Sequence, residues 1–103
     1  MYKLVFFVPE SHLTEVKNAV FASGAGRIGD YEHCCWQALG EGQFCPLPGA
    51  DPHLGEIGTL ETVAEYRVEL VCTDDLIRDA VSAMKQAHPY EEPAYDVWRL
   101  EVF

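Results

Sequence analysis

The run His88-Pro89-Tyr90-Glu91-Glu92-Pro93-Ala94-Tyr95-Asp96 concentrates groups that could do chemistry in one short stretch. It holds an imidazole, two phenols and three carboxylates, stiffened by two prolines. A restricted backbone lowers the cost of ordering a binding site. His88 with Glu91 or Glu92 could ligate a divalent metal or move protons. Only one histidine is local, so a metal set needs help from elsewhere. His33 and Cys35, on the outer parity of an expected strand, could supply it. The competing structural reading has His88 close a helix, the carboxylates stay solvated, and Tyr90 and Tyr95 pack.

A second candidate is the segment from Gly40 to Gly58, with five glycines and three prolines. That composition rules out a central strand or a helix, and a connection this long is usually functional or mobile. Extended pieces are expected near Gln43–Pro46 and Glu56–Leu60, within a long loop or hairpin excursion over 40–58. Ligand contact and packing against a neighbouring subunit are the two readings. A third candidate, Gly24-Ala25-Gly26-Arg27-Ile28-Gly29, superficially matches a dinucleotide fingerprint but leaves a helix and enters a strand. A phosphate-cradling loop needs the reverse order, so Gly24 and Gly26 are expected as cap and turn. No nucleophilic site is local. Cys45 and Cys72 lack a neighbouring base, and Ser11, Ser23 and Ser82 fall in helix or cap positions.

The elements that must position these residues follow from periodicity. Tyr2–Val8 reads as a strand apolar on both faces. Pro9-Glu10-Ser11 opens a helix carrying Leu13, Val16 and Val20, which Gly24 closes. Glu32–Leu39 reads as a second strand, and Glu61–Cys72 alternates most cleanly, with Ala64, Tyr66, Val68, Leu70 and Cys72 on one side. Thr73 is expected to cap a helix with Asp74 and Asp75 in its first turn and Leu76, Ile77, Ala80, Val81 and Met84 buried. Pro89 stops that helix. Tyr95–Phe103 reads as a last strand with Trp98, Leu100 and Val102 inward. The order predicts an α+β, ferredoxin-like βαββαβ sandwich: a four-stranded antiparallel sheet with two helices on one face. Val5, Phe7 and Val71 fall on the face without helices, which favours self-association.

The 103 residues fit a single domain, residues 1–103. Seven Lys and Arg stand against 17 Asp and Glu, a formal charge of −10. Residues 1–29 carry Lys3, Lys17 and Arg27 against Glu10 and Glu15, so the acidity lies in the remainder. That balance opposes a nucleic-acid or anionic-membrane surface as partner. The apolar start ends at Pro9-Glu10, too short for a signal or a span, so the cytoplasm is expected. Cys34, Cys35, Cys45 and Cys72 show no metal-ribbon spacing and read as reduced thiols.

Gly24-Ala25-Gly26-Arg27-Ile28-Gly29-x-Tyr31, Gly40-x-Gly42-x-Phe44-x-Pro46, Gly49-Ala50-x-Pro52, Gly55-x-x-Gly58, Glu61, Arg67-x-Glu69 and His88–Val97 resemble the short YqfO-like proteins. These are similar to the module inserted in larger Nif-three-like (NGG-interacting-factor-three-like) proteins. The resemblance implies a CutA/PII-like domain that assembles as a homotrimer. It does not bring the larger proteins' two-metal site, whose double-histidine motif is absent. PII-like relatives bind effectors in intersubunit clefts near a long loop. The same place here combines the 40–58 segment with Tyr90, Glu91 and Glu92, and Phe44 and Arg67 complete the candidate ligand set. CutA relatives are associated with divalent-metal tolerance, which makes a divalent metal the candidate cofactor, with His88, Glu91, Glu92 and His33 as its set. The expectation is a non-catalytic, oligomeric binding or regulatory module with no assigned catalytic residue. The alternative is a divalent-metal protein or metal-dependent enzyme using the His88–Pro93 turn.

Overall fold

A computed structural model describes all of residues 1–103. The chain runs β1 (Tyr2–Pro9), a short 3₁₀ turn (Glu10–His12), α1 (Leu13–Ala22), β2 (Trp36–Phe44), β3 (Glu61–Cys72), α2 (Ile77–Ala87) and β4 (Tyr95–Arg99). The strands form one antiparallel sheet in the order β2-β3-β1-β4. This is the expected ferredoxin-like α+β sandwich.

Strict alternation decides which side chains meet the helices. Leu4, Phe6 and Val8 of β1 and Val68, Leu70 and Cys72 of β3 point one way. They pack with Val16, Val20 and Phe21 of α1 and with Ile77, Ala80 and Met84 of α2. Leu4, Phe6 and Met84 are fully buried, each stabilising the fold by roughly 2–3 kcal/mol through removal of apolar surface from water. Gly24 and Gly26 close α1 with positive φ, as cap and turn. A side chain at Gly26 would run into the Phe21 ring and the Cys34 carbonyl.

Four expectations need correction. β2 begins at Trp36, not Glu32, and continues through Gly40 and Gly42 to Phe44. It is the sheet's edge strand, where glycine costs packing on one side only. α2 begins at Ile77, and Thr73 does not cap it. The Thr73 carbonyl instead accepts from Leu76 N–H in a turn. Asp74 is engaged by the Met1 amino group and by Arg99. β4 stops at Arg99, and its parity is opposite to that expected. Pairing of Val97 with Leu4 and of Tyr95 with Phe6 puts Tyr95 and Val97 against the core, leaving Trp98 on the other face. Residues 101–103 are exposed. Of the four free cysteines only Cys72 is buried.

The face without helices is partly self-covered. Val5 is fully buried there. Arg67 lies over the Phe7 ring at 5.9 Å, and Lys3 and Arg67 both reach Glu69. Trp36 and Trp98 remain 59% and 43% exposed on that face.

β1 pairs with β3 only as far as Glu65, opposite Pro9, whereas β2 and β3 stay paired out to Phe44 and Glu61. The β2–β3 hairpin therefore projects as a two-stranded arm. Residues 45–60 fold back from its tip, with their neck closed by Gly58 N–H donating to Pro46 C=O at 2.8 Å.

Candidate functional site

The site forms where three elements meet: the last residues of β1 from Phe7, the C-cap of α2 at His88, and the tip of the arm at Phe44. Pro89 forces His88 out of the helix into an extended conformation (φ −72°, ψ 137°). This turns the imidazole under the sheet end, where it is only 7% exposed. Its Nε2 lies 2.6 Å from the Phe7 carbonyl oxygen, and its Nδ1 lies 3.1 Å from the Tyr90 backbone nitrogen. A carbonyl can only accept and an amide N–H only donate. His88 is therefore the neutral Nε2–H tautomer, with both nitrogens committed. Burial pushes its pKa below the ordinary 6.5; the bond to Phe7 opposes that shift, while nearby His12 and His53 reinforce it.

The His88 clamp presents Tyr90, whose ring lies 4.9 Å from His88, 6.1 Å from His53 and 6.4 Å from Phe44, centroid to centroid. His53 also meets His12 edge-on at 5.8 Å, and Asp51 N–H donates to the Glu91 carboxylate at 3.2 Å. These contacts seat the 45–60 loop against the His88–Ala94 turn. Between them lies a cavity of about 410 Å³, walled by Phe7, Phe44, Glu65, Tyr90 and Glu91 together with apolar loop residues such as Leu47 and Pro52.

Glu65 enters from the floor. It is half-buried, and burial holds its carboxyl above the ordinary 4.5. Its carboxylate lies against Gly42 of the arm, in the space a side chain at Gly42 would occupy. The Tyr90 hydroxyl is buried without a hydrogen-bond partner. Its pKa is raised, chiefly by burial and secondarily by the charge of Glu65.

Of the sequence-derived ligand set, Tyr90, Glu91, Glu92 and Phe44 line this cavity. Arg67 does not, because it turns toward Glu69 (3.4 Å) and the Phe7 ring. The metal set is not assembled. His33 stacks on Phe21 at the far end of α1, 4.9 Å between rings, and His88 has no free lone pair. No three His, Cys, Asp or Glu side chains are grouped to hold a metal ion.

Sequence reasoning missed Phe7, Glu65, His12 and His53. Glu65 alternates with Arg67 and Glu69 and reads as an ordinary solvated strand face. Its distinguishing signal is the glycine on the neighbouring strand, visible only once the β2–β3 register is known.

No family model matches the chain. It is 52% identical over 98 residues to the GTP cyclohydrolase 1 type 2 homolog of Mycobacterium leprae, covering 95% of this chain and 26% of that protein. The Bacillus subtilis protein of the same name is 43% identical over 99 residues, covering 96% and 26%. Among solved structures, the Bacillus cereus protein related to NIF3 superposes with a TM-score of 0.84 at 44% identity, covering 98% of this chain and 26% of that one. The divalent cation tolerance protein CutA of Archaeoglobus fulgidus superposes at 0.71 with 11% identity, covering 100% and 87%. That last likeness is one of fold. The chain is homologous to a segment of the Nif-three-related proteins and spans about a quarter of the length of those curated relatives. No helix is long and apolar enough to cross a membrane.

Proposed function

We propose that this chain is a non-catalytic binding or regulatory module that takes a small ligand between the 45–60 loop and the His88–Ala94 turn. The observation that carries the reading is the cavity of about 410 Å³ built from β1, the arm, the loop and the turn. Its volume suits a small molecule, and its walls combine apolar surface with a few polar groups, as ligand sites do. His88 lies outside the wall and, buried with both ring nitrogens hydrogen-bonded, serves as a structural clamp.

Self-association accompanies this reading. The exposed Trp36 and Trp98 on the helix-free face, and the unpaired outer edge of β2, favour a homo-oligomer, with the trimer of the CutA-like assembly as the expected form. Sedimentation equilibrium at micromolar concentration tests it; a monomer removes this part of the reading. A divalent cation is the second reading, favoured by the unpaired carboxylates of Glu65, Glu91 and Glu92. Calorimetric titration with Zn²⁺, Mn²⁺ and Cu²⁺ tests it, and binding weaker than about millimolar ends it.

The cavity itself is tested by screening a chemically mixed fragment set against ¹⁵N-labelled protein. Amide shifts confined to Phe44–Leu54, Val63–Glu65 and Tyr90–Ala94 support the reading. A surface on which no fragment produces such shifts at about millimolar concentration overturns it.

A further inference from the structure

The cavity's charge and aromatic content narrow what it would accept, an inference that rests on the binding reading above. Glu65, Glu91 and Glu92 line it, and no Lys or Arg does. None of the three takes part in an ion pair. Arg67, two residues from Glu65 on the same strand face, is occupied by Glu69 and Phe7. Glu65 is thus a half-buried carboxylate with no cation of its own, lying over Gly42. The rings of Phe7, Phe44 and Tyr90 share its walls, and aromatic faces carry negative potential that attracts organic cations. The Tyr90 hydroxyl is buried beside the cavity without a partner, a polar group whose hydrogen-bonding demand the free protein leaves unmet. An anionic ligand would meet three carboxylates and no Lys or Arg, with the imidazole of His53 the one basic side chain in the wall.

We propose that this cavity selects a small organic ammonium. Its charged head lies toward Glu65, and its apolar or aromatic body sits between Phe44, Tyr90 and the loop. A metal ion fits less well, because the three carboxylates are not grouped closely enough to coordinate one and most of the wall is apolar.

Three probes of one shape separate charge from shape: phenethylammonium, 2-phenylethanol and 3-phenylpropionate, titrated near neutral pH by NMR or calorimetry. Phenethylammonium is expected to bind about tenfold more tightly than 3-phenylpropionate, with the alcohol between them. Glu65→Gln should bring the ammonium to within about twofold of the alcohol. Gly42→Ala should do the same with the carboxylate retained, since the new methyl displaces the end of the flexible Glu65 side chain from its place. Equal binding of all three probes, or preference for the anion, overturns the ammonium assignment and leaves the cavity reading standing. Failure of every probe to perturb Phe44, Glu65 or Tyr90 defeats both. Mn²⁺ binding that depends on Glu65, with no ammonium binding, overturns this inference in favour of the metal.

Discussion

β1 and β3 end twice, and the two ends are finished differently. At the Tyr2 end, Asp74 receives the Met1 amino group and Arg99 Nη1 (3.1 Å). Arg99 Nη2 donates to the Tyr2 hydroxyl (2.5 Å), with the guanidinium 4.6 Å above the Tyr2 ring. The Met1 amino group, Asp74 and Arg99 neutralise one another there, and these hydrogen bonds hold the Asp74 carboxyl below its ordinary value. At the Phe7 end, Glu65, Glu91 and Glu92 have no cation, the Tyr90 hydroxyl has no partner, and burial moves Glu65 the other way. Native structures satisfy buried polar groups almost everywhere, so an end left unsatisfied beside a cavity is where a bound molecule can lower the free energy. One end is complete in itself; the other is shaped for something else.

The contrast requires the Phe7 end to be firmly built despite its unmet groups, and His88 is what builds it. His88→Ala removes the donor to Phe7 C=O and the acceptor from Tyr90 N–H, leaving two backbone groups in a buried place without partners. We expect a loss of about 2–4 kcal/mol in urea unfolding. A loss under about 1 kcal/mol would mean the turn is held by other contacts and the clamp is not needed.

The same residue predicts a pH dependence. Its folded-state pKa is lowered, so the fold favours neutral His88. The stability it contributes is complete above about pH 6.5 and is lost as pH falls below that, at no more than about 1.4 kcal/mol per unit. His88→Gln keeps a donor for Phe7 without the titration. Between about pH 7.5 and 5.5 the wild type should lose stability relative to this variant. Parallel profiles would show that His88 is accommodated in its charged form.

Much of this architecture is legible in the sequence, and the two ends are legible to different degrees. The alternation over Glu61–Cys72 and the stop at Pro89 report local physics, and both match the structure. The His88–Asp96 run marks the right place for the site, because two prolines beside titratable groups are a local signal too. What sequence alone does not reveal depends on register. Glu65 becomes part of a cavity because Gly42 clears space beside it, and Trp98 faces outward because Val97, not Trp98, lies opposite Leu4. His33 fails as a ligand because β2 begins only at Trp36: His33 precedes the strand, has no strand parity, and stacks on Phe21 at the far end of α1.

The two tyrosines sharpen the contrast further. Tyr90→Phe removes a hydroxyl that bonds to nothing, so the free protein should be unchanged or more stable by up to about 1 kcal/mol. Tyr2→Phe removes the acceptor of an Arg99 hydrogen bond and should lower the midpoint. Thermal melts of the two variants side by side give the comparison. A clear loss for Tyr90→Phe would mean that its hydroxyl already has a partner in solution, and that the Phe7 end is closed like the Tyr2 end.

The smallest effects test the comparison most directly, through paired neutralisations, one carboxylate from each end. Asp74 has a lowered folded-state pKa, so its charge stabilises the fold above about pH 3.8, and Asp74→Asn should lower the melting midpoint at neutral pH. Both partners of that contact are exposed, which keeps the drop small and lets salt screen it away. Glu65 has a raised folded-state pKa, so its charge works against the fold at neutral pH, and Glu65→Gln should raise the midpoint. Acid should erase both differences. The Glu65 gain disappears as pH falls through the raised folded-state pKa towards 4.5, as the wild-type carboxyl takes up its own proton. The Asp74 deficit persists to lower pH, because that carboxyl holds its charge longer. Opposite signs at neutral pH, vanishing in that order, are what a self-neutralised end and a ligand-accepting end require. If Glu65→Gln instead lowers the midpoint, Glu65 has a cationic partner within the folded chain, and the Phe7 end is as complete as the other.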